Sequence, residues 1–112
     1  MGKLCNRVAV QLKTDSEVFQ RVINGVKPWE LRKNDRDYHV GDVLELRETK
    51  YTGIQMLYNG KPLEYTGRTI RGEVQYIIFG PVYGLVDGWV IMTVKWEHLK
   101  EGFLPESMQN QD

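Results

Sequence analysis

The run Gly25-Val26-Lys27-Pro28-Trp29-Glu30-Leu31-Arg32 places two cations and a carboxylate within six positions. A lysine ammonium is a point charge with three donors, an arginine presents a planar fork suited to phosphate or a base edge, and a glutamate accepts from an exocyclic amine or ring N–H. That combination suits a nucleotide. If Trp29 to Arg32 is extended, Glu30 and Arg32 share a strand face about 7 Å apart and can touch one ligand whether or not they pair with each other. Asn34 and Arg36 continue the polar edge, and Tyr65 and Arg68 add a ring and a further guanidinium. The expected ligand-binding set is therefore Lys27, Glu30, Arg32, Asn34, Arg36, Tyr65 and Arg68. Were the site catalytic, Lys27 and Glu30 would carry the chemistry. Charged side chains on a strand face are ordinarily solvated and contribute little, and a lysine also suits a helix C-terminus.

Other chemistries find no support. Cys5 is the single cysteine, so the chain can form neither an internal disulfide nor a thiolate cluster, and a reducing cytosol is the expected setting. His39 and His98 have no spacing of a metal site or a paired acid and base, and surface roles are expected for both. No P-loop, dinucleotide fingerprint or nucleophile elbow occurs, so neither cofactor nor metal is expected. Trp29, Trp89 and Trp96 fall on strand patterns where aromatics fill cores. Tyr51, Tyr65 and Tyr83 stand near turns, where stacking on a base and hydrogen-bonded packing are both open.

The elements that must position these groups follow from periodicity. Val8, Val10 and Leu12 alternate with polar neighbours as a half-buried strand does. Thr14-Asp15-Ser16-Glu17 reads as a capping box opening a helix from about Asp15 to Asn24, with Val18, Phe19, Val22 and Ile23 as its apolar stripe and Asn24-Gly25 as its stop. From Pro28 the period returns to two, with Trp29 and Leu31 assigned to the core face and Glu30 and Arg32 to the opposite one. Polar turns over Asn34 to Asp37 and Val40 to Asp42 precede the alternating strand Val43 to Arg47. Tyr51 to Gly67 carries Asn59-Gly60 at its centre, which predicts a protruding hairpin. Thr69 to Phe79 and Trp89 to Trp96 predict long core strands.

At 112 residues, with 41% hydrophobic and 27% charged, the chain suits one α+β domain of five to six mostly antiparallel strands and one early helix, curled into a small β-barrel. Its core should span about residues 7–97, followed by an acidic polar tail at 98–112. Lysine plus arginine (15) balances aspartate plus glutamate (15), which disfavours nonspecific polyanion binding. The balance hides polarity: Arg21 to Arg36 holds five cations against two anions, and Glu97 to Asp112 holds four anions against one cation. Met1 to Asn6 lack the apolar run of a signal peptide and no stretch approaches a membrane span, so neither secretion nor membrane insertion is expected. The tail or the hairpin could instead dock a protein partner.

The pattern Gly25-x-Lys27-x-x-Glu30-x-Arg32 resembles the signature of the ASCH family, and the likeness continues through Lys33-Asn34-Asp35-Arg36-Asp37-Tyr38, Val40-Gly41-Asp42, Gly84-Leu85 and Asp87-Gly88-Trp89-Val90-Ile91. The small bacterial and phage members are the most similar. The resemblance spans roughly Val8 to Lys95. It implies a barrel of the PUA-like type and an RNA- or nucleotide-derived ligand in a cleft beside the signature. Some ASCH relatives are amidohydrolases acting on N4-acylated cytidines, with a threonine nucleophile three residues after the lysine. Here that place holds Glu30, which lacks the hydroxyl the acyl-enzyme route requires. Thr52, Thr66 and Thr69 are the other hydroxyls that the hairpin region could bring near. A small ribonuclease is the remaining catalytic expectation, since a family member is reported to cut RNA.

Overall fold

A computed structural model describes residues 8–97; Cys5, His98 and the acidic tail lie outside them. Its elements run β1 (Val10–Asp15), α1 (Ser16–Ile23), β2 (Trp29–Lys33), β3 (Val43–Thr49), α2 (Gly53–Tyr58), β4 (Tyr65–Phe79) and β5 (Trp89–Trp96). The strands form one sheet in the order β1-β3-β4-β5-β2. β1 lies parallel to β3, and the other neighbours are antiparallel. The sheet curls into a half-barrel whose two edges, β1 and β2, meet along a seam: Arg32 and Arg36 reach back from the β2 side to backbone carbonyls of Lys13 and Gln11 on β1. Among the described residues no helix is long and apolar enough to cross a membrane.

The core is built from the inward-facing positions of the strands and one stripe of α1. Leu12, Leu44, Leu46, Ile70, Val74, Val90, Met92 and Trp96 meet Phe19 and Val22 of the helix. The stop expected at Asn24-Gly25 is present. Gly25 adopts φ 76°, the Gly25 N–H donates to the Val22 carbonyl at 3.0 Å and the Val26 N–H donates to that of Arg21 at 3.0 Å, the paired bonds of a Schellman cap. The Lys27 N–H also donates to the Arg21 carbonyl, at 3.1 Å, so the cap fixes where the lysine leaves the helix.

Three expectations are corrected. Thr14 does not cap α1: pairing with β3 carries β1 through Asp15, which becomes the N-cap without a side-chain bond. The capping box lies instead at Thr52 and Gln55 and starts α2, a second helix where a hairpin was expected. Asn59 caps that helix and Gly60 follows at φ 69°, so the Asn-Gly pair ends a helix rather than turning a hairpin. The excursion closes where the Lys50 N–H donates to the Glu64 carbonyl at 2.8 Å and Thr49 pairs with Tyr65. The third correction concerns the faces of β2. Trp29 and Leu31 are 43% and 45% exposed, whereas Glu30 is 1% exposed and sits opposite buried Met92. A buried carboxylate is tolerated only with counter-charges and hydrogen bonds. Glu30 has both.

Candidate functional site

Along the seam lies a cleft of about 650 Å³, bordered by Leu12 to Asp15 of β1, Trp29 to Lys33 of β2, Lys27 before it, and Asp35, Arg36, Tyr38 and Trp89. Its floor is a charge triad. Lys27 Nζ donates to Glu30 Oε2 at 2.9 Å and to the Trp29 carbonyl at 2.8 Å, while Arg32 Nε donates to Glu30 Oε1 at 3.0 Å. Arg32 Nη2 extends to the Thr14 hydroxyl at 3.3 Å and the Lys13 carbonyl at 3.4 Å. One carboxylate thus orients two cations, and the triad keeps a formal excess of one positive charge. Glu30 and Arg32 share a face, as expected, and they pair. Each Glu30 oxygen accepts one of these charge-assisted bonds.

The sheet explains the geometry. β2 is an edge strand, antiparallel to β5, and its inward positions Glu30 and Arg32 stand opposite Met92 and Val90. Trp96 Nε1 donates to the Pro28 carbonyl at 3.0 Å, tying the start of β2 to the core. Lys27 also lies over the Trp29 ring, 4.8 Å from its centroid, a cation–π contact that further fixes the ammonium. Tyr38 is buried beneath the cleft, and that burial pushes its phenol above the ordinary value, with nearby Arg32 opposing the shift.

Of the residues singled out from sequence, Lys27, Glu30, Arg32 and Arg36 meet at the cleft. Asn34 serves the adjoining turn, where its Oδ1 accepts from the Tyr38 N–H at 3.3 Å and its own N–H donates to the Gly88 carbonyl at 2.8 Å. Tyr65 and Arg68 lie outside the cleft lining. Tyr65 packs under Arg47, whose guanidinium is 3.7 Å from the ring centroid. Arg68 grips Glu48 through Nε and Nη2, both at 2.9 Å, and Ser16 and Thr66 add hydroxyl bonds to the same carboxylate at 2.7 and 2.6 Å. Thr52 caps α2 and Thr66 serves Glu48, so neither hydroxyl is committed to the cleft. Among the described residues no group of three or more histidine, cysteine, aspartate or glutamate side chains could hold a metal.

Sequence reasoning missed Thr14, Tyr38, Trp29 and Trp89 as cleft residues. Thr14 was hidden by its capping-box pattern, and the two tryptophans by the rule that places aromatics inside. Trp89 faces outward at 39% exposure; Trp96, by contrast, is in the core as expected.

No curated protein matches the chain. A family model described as a domain of unknown function, DUF3850, matches residues 10–94, from the start of β1 well into β5 and across every residue lining the cleft, and the chain belongs to that family.

Proposed function

We propose that the seam cleft binds an anionic, base-bearing ligand, either RNA or a nucleotide-derived molecule. The observation that carries the reading is the triad: Lys27 and Arg32 are held in fixed positions by buried Glu30 and retain excess positive charge at the floor of an open cleft. Preorganised cations bind an anion without first having to order their own long side chains. Lys13, Lys33 and Arg36 on the lining extend the cationic surface, against Asp15 and Asp35. The ASCH-like signature supports the same reading, because Lys27, Glu30 and Arg32 are its charged positions, and the curled five-stranded sheet is compatible with a PUA-like barrel.

The test is a titration of adenosine and cytidine monophosphates, the corresponding nucleosides, and a short RNA at two salt concentrations. Phosphorylated ligands should bind more tightly than nucleosides and weaken as salt rises. Lys27→Ala and Arg32→Ala should each weaken binding by about tenfold or more, the scale of a charge-assisted hydrogen bond. Absence of binding by every ligand, or unchanged affinity in both variants, would sink the proposal.

A further inference from the structure

The cross-strand register defines the outer face of β4, β5 and β2, because directly opposed residues of antiparallel strands project to the same side. Tyr76, Thr93 and Trp29 form one row, Ile78, Ile91 and Leu31 the next, and Trp89 with Lys33 a third. The intervening row, Ile77, Met92 and Glu30, is buried and marks the inner side. On the outer face Tyr76 is 62% exposed, and Trp29 and Trp89 are also open to solvent. Single exposed apolar residues are ordinary, but a contiguous aromatic and aliphatic face marks a binding surface.

The charges around this face select its occupant. Lys33 and Lys95 are exposed at its two ends, Lys95 pairing in register with the acid Glu73, and Lys27 lies over the Trp29 ring. Cores of protein interfaces are depleted in lysine, whereas single-strand binders combine aromatic rings with cations that track a phosphate backbone. The spacing also fits. Trp29 pairs with Thr93 and Trp89 lies four residues before Thr93 on β5, so the two indoles stand about 13 Å apart along the strand direction. Tyr76 lies two strands across from Trp29, about 10 Å away. The face is continuous with the cleft, since Trp29, Leu31, Lys33 and Trp89 border both.

We infer that this face is a stacking platform for a single-stranded nucleic acid. One nucleotide places its phosphate at Lys27 and Arg32, and neighbouring bases stack on Trp29, Trp89 and Tyr76. The inference rests on the nucleotide reading of the cleft and narrows its ligand to an oligonucleotide strand.

Tyr76 gives a clean test because it is exposed and lies outside the cleft lining. Adenosine monophosphate and adenylate oligomers of three and six nucleotides would be titrated against the wild type and Tyr76→Ala, with binding read by tryptophan fluorescence and calorimetry. The hexamer should bind at least about tenfold more tightly than the monophosphate. Tyr76→Ala should lose about 5- to 150-fold in hexamer affinity, the range for one stacked base, and leave the monophosphate unchanged. Equal affinity for monophosphate and hexamer, or a hexamer affinity untouched by Tyr76→Ala, overturns the platform and leaves the cleft reading standing. Binding by neither removes both. Concentration-dependent self-association abolished by Tyr76→Ala, with no oligomer binding, would make the face a protein interface and also overturn the platform.

Discussion

Two buried glutamates organise two polar clusters on the inner side of the fold, and their partners decide what each cluster can do. Glu48 meets one cation, Arg68, and two hydroxyls, so its charge is neutralised on the spot. Glu30 meets two cations and leaves an excess positive charge. The hydrogen bonds from Arg68 outweigh burial and hold the Glu48 carboxyl at about 2, against an ordinary 4.5. A carboxyl lowered on folding stabilises the native state above its unfolded value, so this contribution is complete above about pH 4.5 and disappears as pH falls towards 2. Glu48→Gln should be less stable than the wild type at pH 7, and the gap should shrink steadily between pH 4.5 and 2 in urea denaturation. A gap independent of pH would show that the pairing with Arg68 contributes nothing through protonation. For Glu30→Gln, two partly buried cations lose their shared counter-charge and one of its two acceptor oxygens, which should cost about 1–3 kcal/mol of stability and weaken the proposed nucleotide binding as Lys27 and Arg32 lose their fixed positions.

At the scale of elements, the contact between β4 and β5 depends on a residue without a side chain. A Cβ added at Gly72 would lie 2.5 Å from Trp96 Cε3, 2.6 Å from Val94 Cγ1 and 2.9 Å from the Lys95 carbonyl. Trp96 is also the residue that bonds the Pro28 carbonyl ahead of β2. Gly72→Ala should therefore cost about 1–3 kcal/mol by overpacking, and it should change the near-ultraviolet dichroism of the displaced indole. Thr52→Ala removes the hydroxyl that accepts from the Gln55 N–H in the α2 capping box and should lower helicity locally, at a cost of about 1 kcal/mol. The strand pattern of β1, β3 and β5 and the end of α1 were legible because alternation and Asn-Gly are local signals. The region of α2 misled because Asn59-Gly60 serves a helix end as readily as a hairpin, and the capping box three residues apart at Thr52 and Gln55 went unread. For β2, periodicity separated the faces correctly but could not say which was inward. Hydrophobicity favoured Trp29 and Leu31, whereas the structure buries Glu30 because Lys27 and Arg32, near in sequence and nearer in space, compensate its charge. The cleft residues on β1 were invisible for a related reason: Thr14 reaches Arg32 only when the sheet curls to bring its two edges together.

The whole molecule is a curled sheet with a seam, and its stability should be graded accordingly. β3, β4 and β5 are each paired on both sides, whereas β1 and β2 are paired on one. Across the seam the bonds described run from side chains, Arg32 to Lys13 and Thr14 and Arg36 to Gln11, at 3.3 to 3.4 Å. Longer bonds from single side chains resist opening less than a backbone ladder does. Amide hydrogen exchange should thus be slowest in β4 and β5 and faster in β1 and β2. Arg36→Ala should accelerate exchange in Val10–Asp15 while leaving β4 unchanged, since it removes one tie across the seam and no ladder bond. A ligand bridging Lys27 and Arg32 at the cleft floor would reverse the gradient locally. Saturating adenosine monophosphate should slow exchange in β1 and β2 and leave β4 and β5 unaltered, and the slowing should fade as salt displaces the ligand. Uniform protection across all five strands would show stabilisation of the whole fold rather than of the seam. Protection confined to the region of α2 would place the ligand away from the triad altogether.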